Sequence, residues 1–138
     1  MTSIYDVMKE IENILSVLTE FKNISIGIET KYLTENNLPF SGIEPIAMSK
    51  TESSLYPQEM IIAINIIYSL SLKDNTSLAN LYQIIFSQEI EVRKLLNAKQ
   101  FLKGRLRFVR FDRIDDDRVK NRFLLMCLYK FESREDVC

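Results

Sequence analysis

The chain has 138 residues, 46% of them hydrophobic, and a formal net charge of -1 from 18 basic and 19 acidic side chains. That length suits one ordinary domain, residues 1–138, with a core of its own, and the near-neutral balance excludes an overall field steering the chain to nucleic acid or an anionic membrane. There is no histidine, which removes the commonest general base and the commonest transition-metal ligand and weighs against catalysis.

Ser3 to Phe21 carries Ile4, Val7, Met8, Ile11, Ile14, Leu15, Leu18 and Phe21 at helical spacing, with Lys9, Glu10, Glu12, Asn13 and Glu20 largely opposite. This predicts an amphipathic helix packed on a sheet. Ser3 followed by Asp6 resembles a capping arrangement at its start. The polar face leans acidic, which disfavours anionic lipid as its partner. Ile24 to Glu29 then alternates, with Ile24, Ile26 and Ile28 on one side, and predicts a short half-buried strand.

From Thr30 to Gln58 the pattern dissolves into Asn36-Asn37, Pro39, Gly42, Pro45, the polar run Lys50 to Ser54, and Pro57. Residues 31–58 are expected to be a long, partly flexible excursion, with at most a short strand near Ile43 to Met48. Such a segment is the place for a flexible contact arm.

Glu59 to Lys73 is the densest apolar run. Met60, Ile62, Ile64, Ile66, Tyr68, Leu70 and Leu72 form one wholly apolar face, while Ile61, Ala63, Asn65, Ile67, Ser69 and Ser71 form a mixed one. Rich in β-branched residues, it predicts the strand that serves as the spine of the sheet. Asp74 to Ser77 offers capping oxygens for a second helix, about Ser77 to Ala98, with Leu81, Ile85, Val92, Leu95 and Leu96 in phase. Glu89 interrupts its stripe, so a break near Ser87-Gln88 is expected. Gly104 marks the stop.

Arg105 to Ile114 reads as a strand in which a bulge between Phe108 and Val109 would set Leu106, Phe108, Val109 and Phe111 on one side. Its arginines, Arg105, Arg107, Arg110 and Arg113, would then line the outer sheet face as edge protection or subunit contacts. Asp115-Asp116-Asp117 reads as a hairpin tip, and Asn121 to Glu132 as the returning strand. Residues 133–138 form a loose tail. Cys127 within a strand and the terminal Cys138 suggest free thiols in a reducing compartment. The resulting class is α+β, with one mixed or antiparallel sheet, two main helices on one face, and the order α-β-(loop or short β)-β-α-β-β.

Among chemistry-bearing groups, the aspartates of residues 112–117 lack the turn glycine and the distal bidentate glutamate of a calcium loop and are interleaved with arginines, so no metal site is expected. The arginines interleaved with Phe108 and Phe111 could form a single-strand nucleic-acid platform, but the rings are more naturally core. Phosphate-loop, dinucleotide, nucleophile-elbow and zincin motifs are all lacking. No cofactor and no small-molecule substrate are expected.

The chain resembles the tail terminator (minor tail) proteins of long-tailed bacteriophages, the family that includes the ring protein closing the lambda tail. The resemblance lies in the succession of an N-terminal helix, LPFSGIEPIAM, EMIIAINIIYSLSL, DNTSLANL entering a helix, RFVRFDRIDDD and FLLMCLYKFE. It implies a virion structural protein of a phage or prophage that forms a ring, hexameric in that family, caps the tail tube, and meets the head connector. It implies no enzymatic activity and a location in the host cytoplasm during assembly, then in the tail or neck of the virion. Residues expected at such contacts are Lys50, Glu52 and Tyr56 of the excursion, with Arg105, Arg107, Asp115, Asp116 and Asp117. The polar stretch between Ser41 and Gln58 is longer than in the lambda member. The reading kept beside it is a nucleic-acid-binding regulator using Arg105 to Arg113.

Overall fold

A computed structural model describes residues 3–29, 31, 33, 37–49, 59–69, 77–97, 104–117 and 122–133. In chain order these form α1 (Ile4–Leu15), β1 (Asn23–Ile26), β2 (Phe40–Ser49), β3 (Glu59–Ser69), α2 (Leu78–Asn97), β4 (Gly104–Asp117) and β5 (Arg122–Ser133). The strands make one mixed sheet ordered β1-β2-β3-β5-β4. β1 runs parallel to β2, and every other neighbour is antiparallel. The fold is α+β, one sheet with two helices packed on one face.

β3 is central because its composition tolerates burial on both sides. Met60, Ile62, Ile64 and Ile66 are fully buried towards the helices together with Ile43 of β2 and Leu125, Cys127, Tyr129 and Phe131 of β5. The face expected to be mixed is buried too: Ala63, Asn65 and Ile67 are enclosed, and Ile67 packs with Leu38 and Phe40 in a second, smaller cluster. Asn65 donates there from Nδ2 to the Glu44 carboxylate at 2.7 Å and to the Gly42 carbonyl at 3.3 Å, while its Oδ1 has no hydrogen-bond partner among the described residues. The two donated bonds offset part of the cost of burying the amide.

α1 begins as its sequence demands. The Ser3 hydroxyl accepts from the Asp6 amide and the Asp6 carboxylate accepts from the Ser3 amide, each at 3.1 Å. The helix is shorter than its apolar spacing predicts. It stops at Leu15 because Ser16 closes it, its hydroxyl donating to the Asn13 carbonyl at 2.6 Å; Phe21 still reaches the core from beyond the helix end. β1 ends at Ile26 because Gly27 takes a positive φ of 86°, a conformation that favours glycine.

The excursion predicted for 31–58 is corrected in its middle, where ten residues form β2. Prolines hid this strand from the sequence reading. Pro45 sits at an irregularity in the β2–β3 register and beyond the last residue paired with β1, where a missing amide donor costs least. The parts of that segment at 32, 34–36 and 50–58, and the predicted tail at 134–138, lie outside the described residues. The expected break in α2 is absent: the helix is continuous through Ser87-Gln88. Gly104 opens β4 instead of ending the helix, at a point of close backbone approach.

Two outcomes test these local causes. A methyl group at Gly104 would overlap the Phe131 ring and lie 2.6 Å from the Glu132 carbonyl oxygen, so Gly104→Ala lowers unfolding stability by about 1–3 kcal/mol in denaturant titration. The backbone hydrogen bond from Ser3, followed by its hydroxyl, holds the Asp6 carboxyl below the usual carboxylate range. Because the folded-state value is depressed, its contribution is complete above the ordinary carboxylate pKa and disappears as pH falls through the depressed one. Ser3→Ala keeps the backbone donor and removes only the hydroxyl, so it moves the Asp6 titration, followed by NMR, only part of the way up to its ordinary value.

Candidate assembly edge

β4 follows from a two-sided sequence. Leu106, Phe108, Phe111 and Ile114 stand opposite Phe131, Tyr129, Cys127 and Leu125 on the helix-facing side, whereas Arg105, Arg107, Arg110 and Arg113 hold register positions opposite Glu132, Lys130, Leu128 and Met126 on the other. Apolar positions spaced unevenly can share a face only if residues are skipped. Two single-residue bulges, at Val109 and at Asp112, do the skipping. The bulge expected beside Phe108 is therefore present, but Val109 is itself the extra residue and remains 41% exposed, so it does not join Phe108 on the inner face.

The inner face of β4 is held by α2. Phe108 meets Phe111 with ring centroids 5.4 Å apart and Tyr129 at 5.6 Å, and Phe86 of α2 meets Phe111 at 5.9 Å. Over the Phe108 ring, 3.9 Å from its centroid, lies the Arg93 guanidinium. Arg93 donates from Nε and Nη2 to the two carboxylate oxygens of Glu89, each at 2.8 Å. Glu89 is 1% exposed. One buried carboxylate on α2 is thus neutralised by a forked cation that also caps an aromatic ring, and this is why the interruption at Glu89 does not break the helix. Sequence reading missed this pair, although glutamate and arginine four residues apart on a helix are a recognisable signal.

Nearby, burial pushes the Cys127 thiol and the Tyr129 phenol up from their ordinary values. Both stay neutral, and a buried protonated thiol is inert. The Tyr129 hydroxyl and the Gln88 amide nitrogen have no hydrogen-bond partner among the described residues.

The outer side of β4 has no neighbouring strand among the described residues, so fourteen residues of backbone form one border of the sheet. Arg105 and Arg107 are exposed there. Arg107 pairs with Glu132, and Arg110 lies 3.5 Å from Asp112. Arg105 makes no ion pair among the described residues. An open cleft of about 450 Å3 curls around the start of this border, lined by Arg93, Asn97, Arg105, Leu106, Arg107 and Phe108.

Of the other predicted contact residues, Asp115, Asp116 and Asp117 are the last three residues of β4, in register with Leu124, Phe123 and Arg122. They are not a hairpin tip: the ladder continues past Ile114 because β5 is long enough to pair with it. β4 thereby brings Arg105, Arg107 and the three aspartates onto one strand, which the sequence reading had divided between strand and turn. Lys50, Glu52 and Tyr56 lie outside the described residues. Compared with known proteins, the chain matches no family model and no curated protein.

The two arginine pairs should behave differently. Removing Arg93 strands a buried carboxylate, so Arg93→Ala costs about 3 kcal/mol in chemical denaturation. Arg107→Ala removes an exposed pair and changes stability by less than about 1 kcal/mol. Equal losses in the two variants would contradict the burial difference.

Proposed function

We propose that this chain is a structural assembly subunit of the tail-terminator kind, a phage or prophage virion protein that associates with copies of itself in a ring, caps the tail tube and joins it to the head connector. The observation that carries the reading is the fourteen-residue border strand β4, free of a strand neighbour among the described residues and bearing exposed Val109 and Ile114 among its charges. Long open edges invite pairing with another chain and are uncommon on proteins that remain alone. Further support comes from the order α-β-β-β-α-β-β and from a second uncovered border. β1 pairs only with Phe40 to Ile43, leaving the outer side of β2 from Glu44 to Ser49 without a strand neighbour among the described residues, with Ile46 and Met48 about half exposed. A ring requires two different surfaces on each copy. β2 and β4 border opposite sides of the sheet.

The nucleic-acid reading draws less support. Stacking on bases needs open ring faces, whereas Phe108 and Phe111 are engaged with Phe86, Tyr129 and Arg93.

Light scattering and sedimentation of the full chain, alone and with tail-tube protein, test the proposal. The expected result is a concentration-dependent closed oligomer that binds tube ends and halts their growth. A chain that stays monomeric throughout and leaves tube length unchanged overturns it.

A further inference from the structure

We infer that β4 is a two-fold docking strand: it pairs antiparallel with β4 of a second copy of this chain, with Phe111 at the axis. The inference does not rest on ring capping and competes with it for one border: a copy paired in this way has β4 occupied, and a ring would then have to use its other surfaces.

The argument starts from the order of charges along the strand. Gly104 to Phe111 contains Arg105, Arg107 and Arg110 and no acid, whereas Asp112 to Asp117 contains four aspartates and one arginine. A strand basic in one half and acidic in the other repels a parallel copy and attracts an antiparallel one. With Phe111 opposite itself, Arg105 meets Asp117 of the second copy and Arg107 meets Asp115. Two-fold symmetry makes each contact twice.

The backbone agrees with this register independently of charge. The bulges lie on either side of Phe111, with Val109 two residues before it and Asp112 one residue after it, so that the couples Val109-Arg110 and Asp112-Arg113 adjoin it. In the antiparallel pair the couple Val109-Arg110 therefore faces the couple Asp112-Arg113, each counting as one rung. A slide of one pleat in either direction sets a bulged couple against its own copy and leaves Arg105 or Asp117 beyond the other strand.

Faces also match. Arg105, Arg107, Asp115 and Asp117 all occupy register positions on the side away from the helices. On the helix side Phe108 meets Ile114 and Phe111 meets its own copy. Ile114 is 54% exposed and Phe108 and Phe111 are half-buried in one copy. Leu106 opposite Asp116 is the one mismatched rung. An isolated edge is blunted by charge and bulges. Here both devices are arranged so that a copy of the same strand satisfies them, which converts a defence against foreign strands into selection for its own kind. Such a contact is isologous and closes at two copies, giving one continuous sheet of ten strands.

The test is sedimentation velocity on the full chain and on two charge-reversed variants, Arg105→Asp/Arg107→Asp and Asp115→Arg/Asp117→Arg. The native chain should dimerise and dissociate as salt rises. Each variant alone should associate at least about tenfold more weakly, since four attractive contacts become repulsive. An equimolar mixture of the two variants should recover the dimer, because every reversed residue then meets its opposite. A native chain without self-association, or a mixture no tighter than its separate components, overturns the inference. Rings that form equally well in both variants overturn it while leaving the tail-terminator reading intact. Should either variant fail to fold, hydrogen exchange of the native chain decides instead. Amides from Gly104 to Asp117 should slow as protein concentration rises, and exchange independent of concentration overturns the pairing.

Discussion

The structure depends on β3 being buried on both faces and paired on both sides. Its register with β2 and β5 extends over nearly its whole length, and the two helices can lie only where its fully apolar face leaves room. Because side chains alternate with a period of two, a slip of one residue would exchange Ile62, Ile64 and Ile66 for Ala63, Asn65 and Ile67. Asn65 makes that exchange expensive. Its amide is matched to the Gly42 carbonyl and the Glu44 carboxylate on the neighbouring strand, and against α1 and α2 it would have neither.

The second constraint acts at the other side of the sheet. β5 transmits the position of β3 to β4 through Leu125, Cys127, Tyr129 and Phe131, and α2 holds β4 from above through Phe86 and Arg93. The Glu89 carboxylate is needed to aim the guanidinium. The inner side of β4 is thereby immobilised by aromatic and ionic packing, and the outer side is left with charges and no strand neighbour among the described residues.

Most of the element order was legible because β3, β5 and both helices carry long runs with a single period. β2 was obscured by Pro39, Gly42 and Pro45, residues that ordinarily punctuate loops; here the prolines fall at the strand's approach and at its bulge. The end of α1 was overestimated because Leu18 and Phe21 continue the helical spacing while packing from a turn. The assembly border was only half legible. Arginines alternating with aromatics announced the outer face of β4, but three consecutive aspartates look like a turn until a partner strand of sufficient length is seen beside them. Glu89 looked like a fault in a stripe because its partner belongs to the charged pattern of the helix, and only burial distinguishes that pair from a surface one.

The chain order and the spatial order of the strands disagree at one place: β5 follows β4 in the chain yet lies between β3 and β4. During synthesis, then, the middle of the sheet is the last piece to emerge. Until Arg122 to Ser133 has cleared the ribosome, the isoleucine-rich flank of β3 and the inner flank of β4 have no mate, and neither can substitute for the other. Completion of the sheet therefore waits for β5, and long-range pairing of this kind leaves β3 and β4 open to non-native contacts until it arrives.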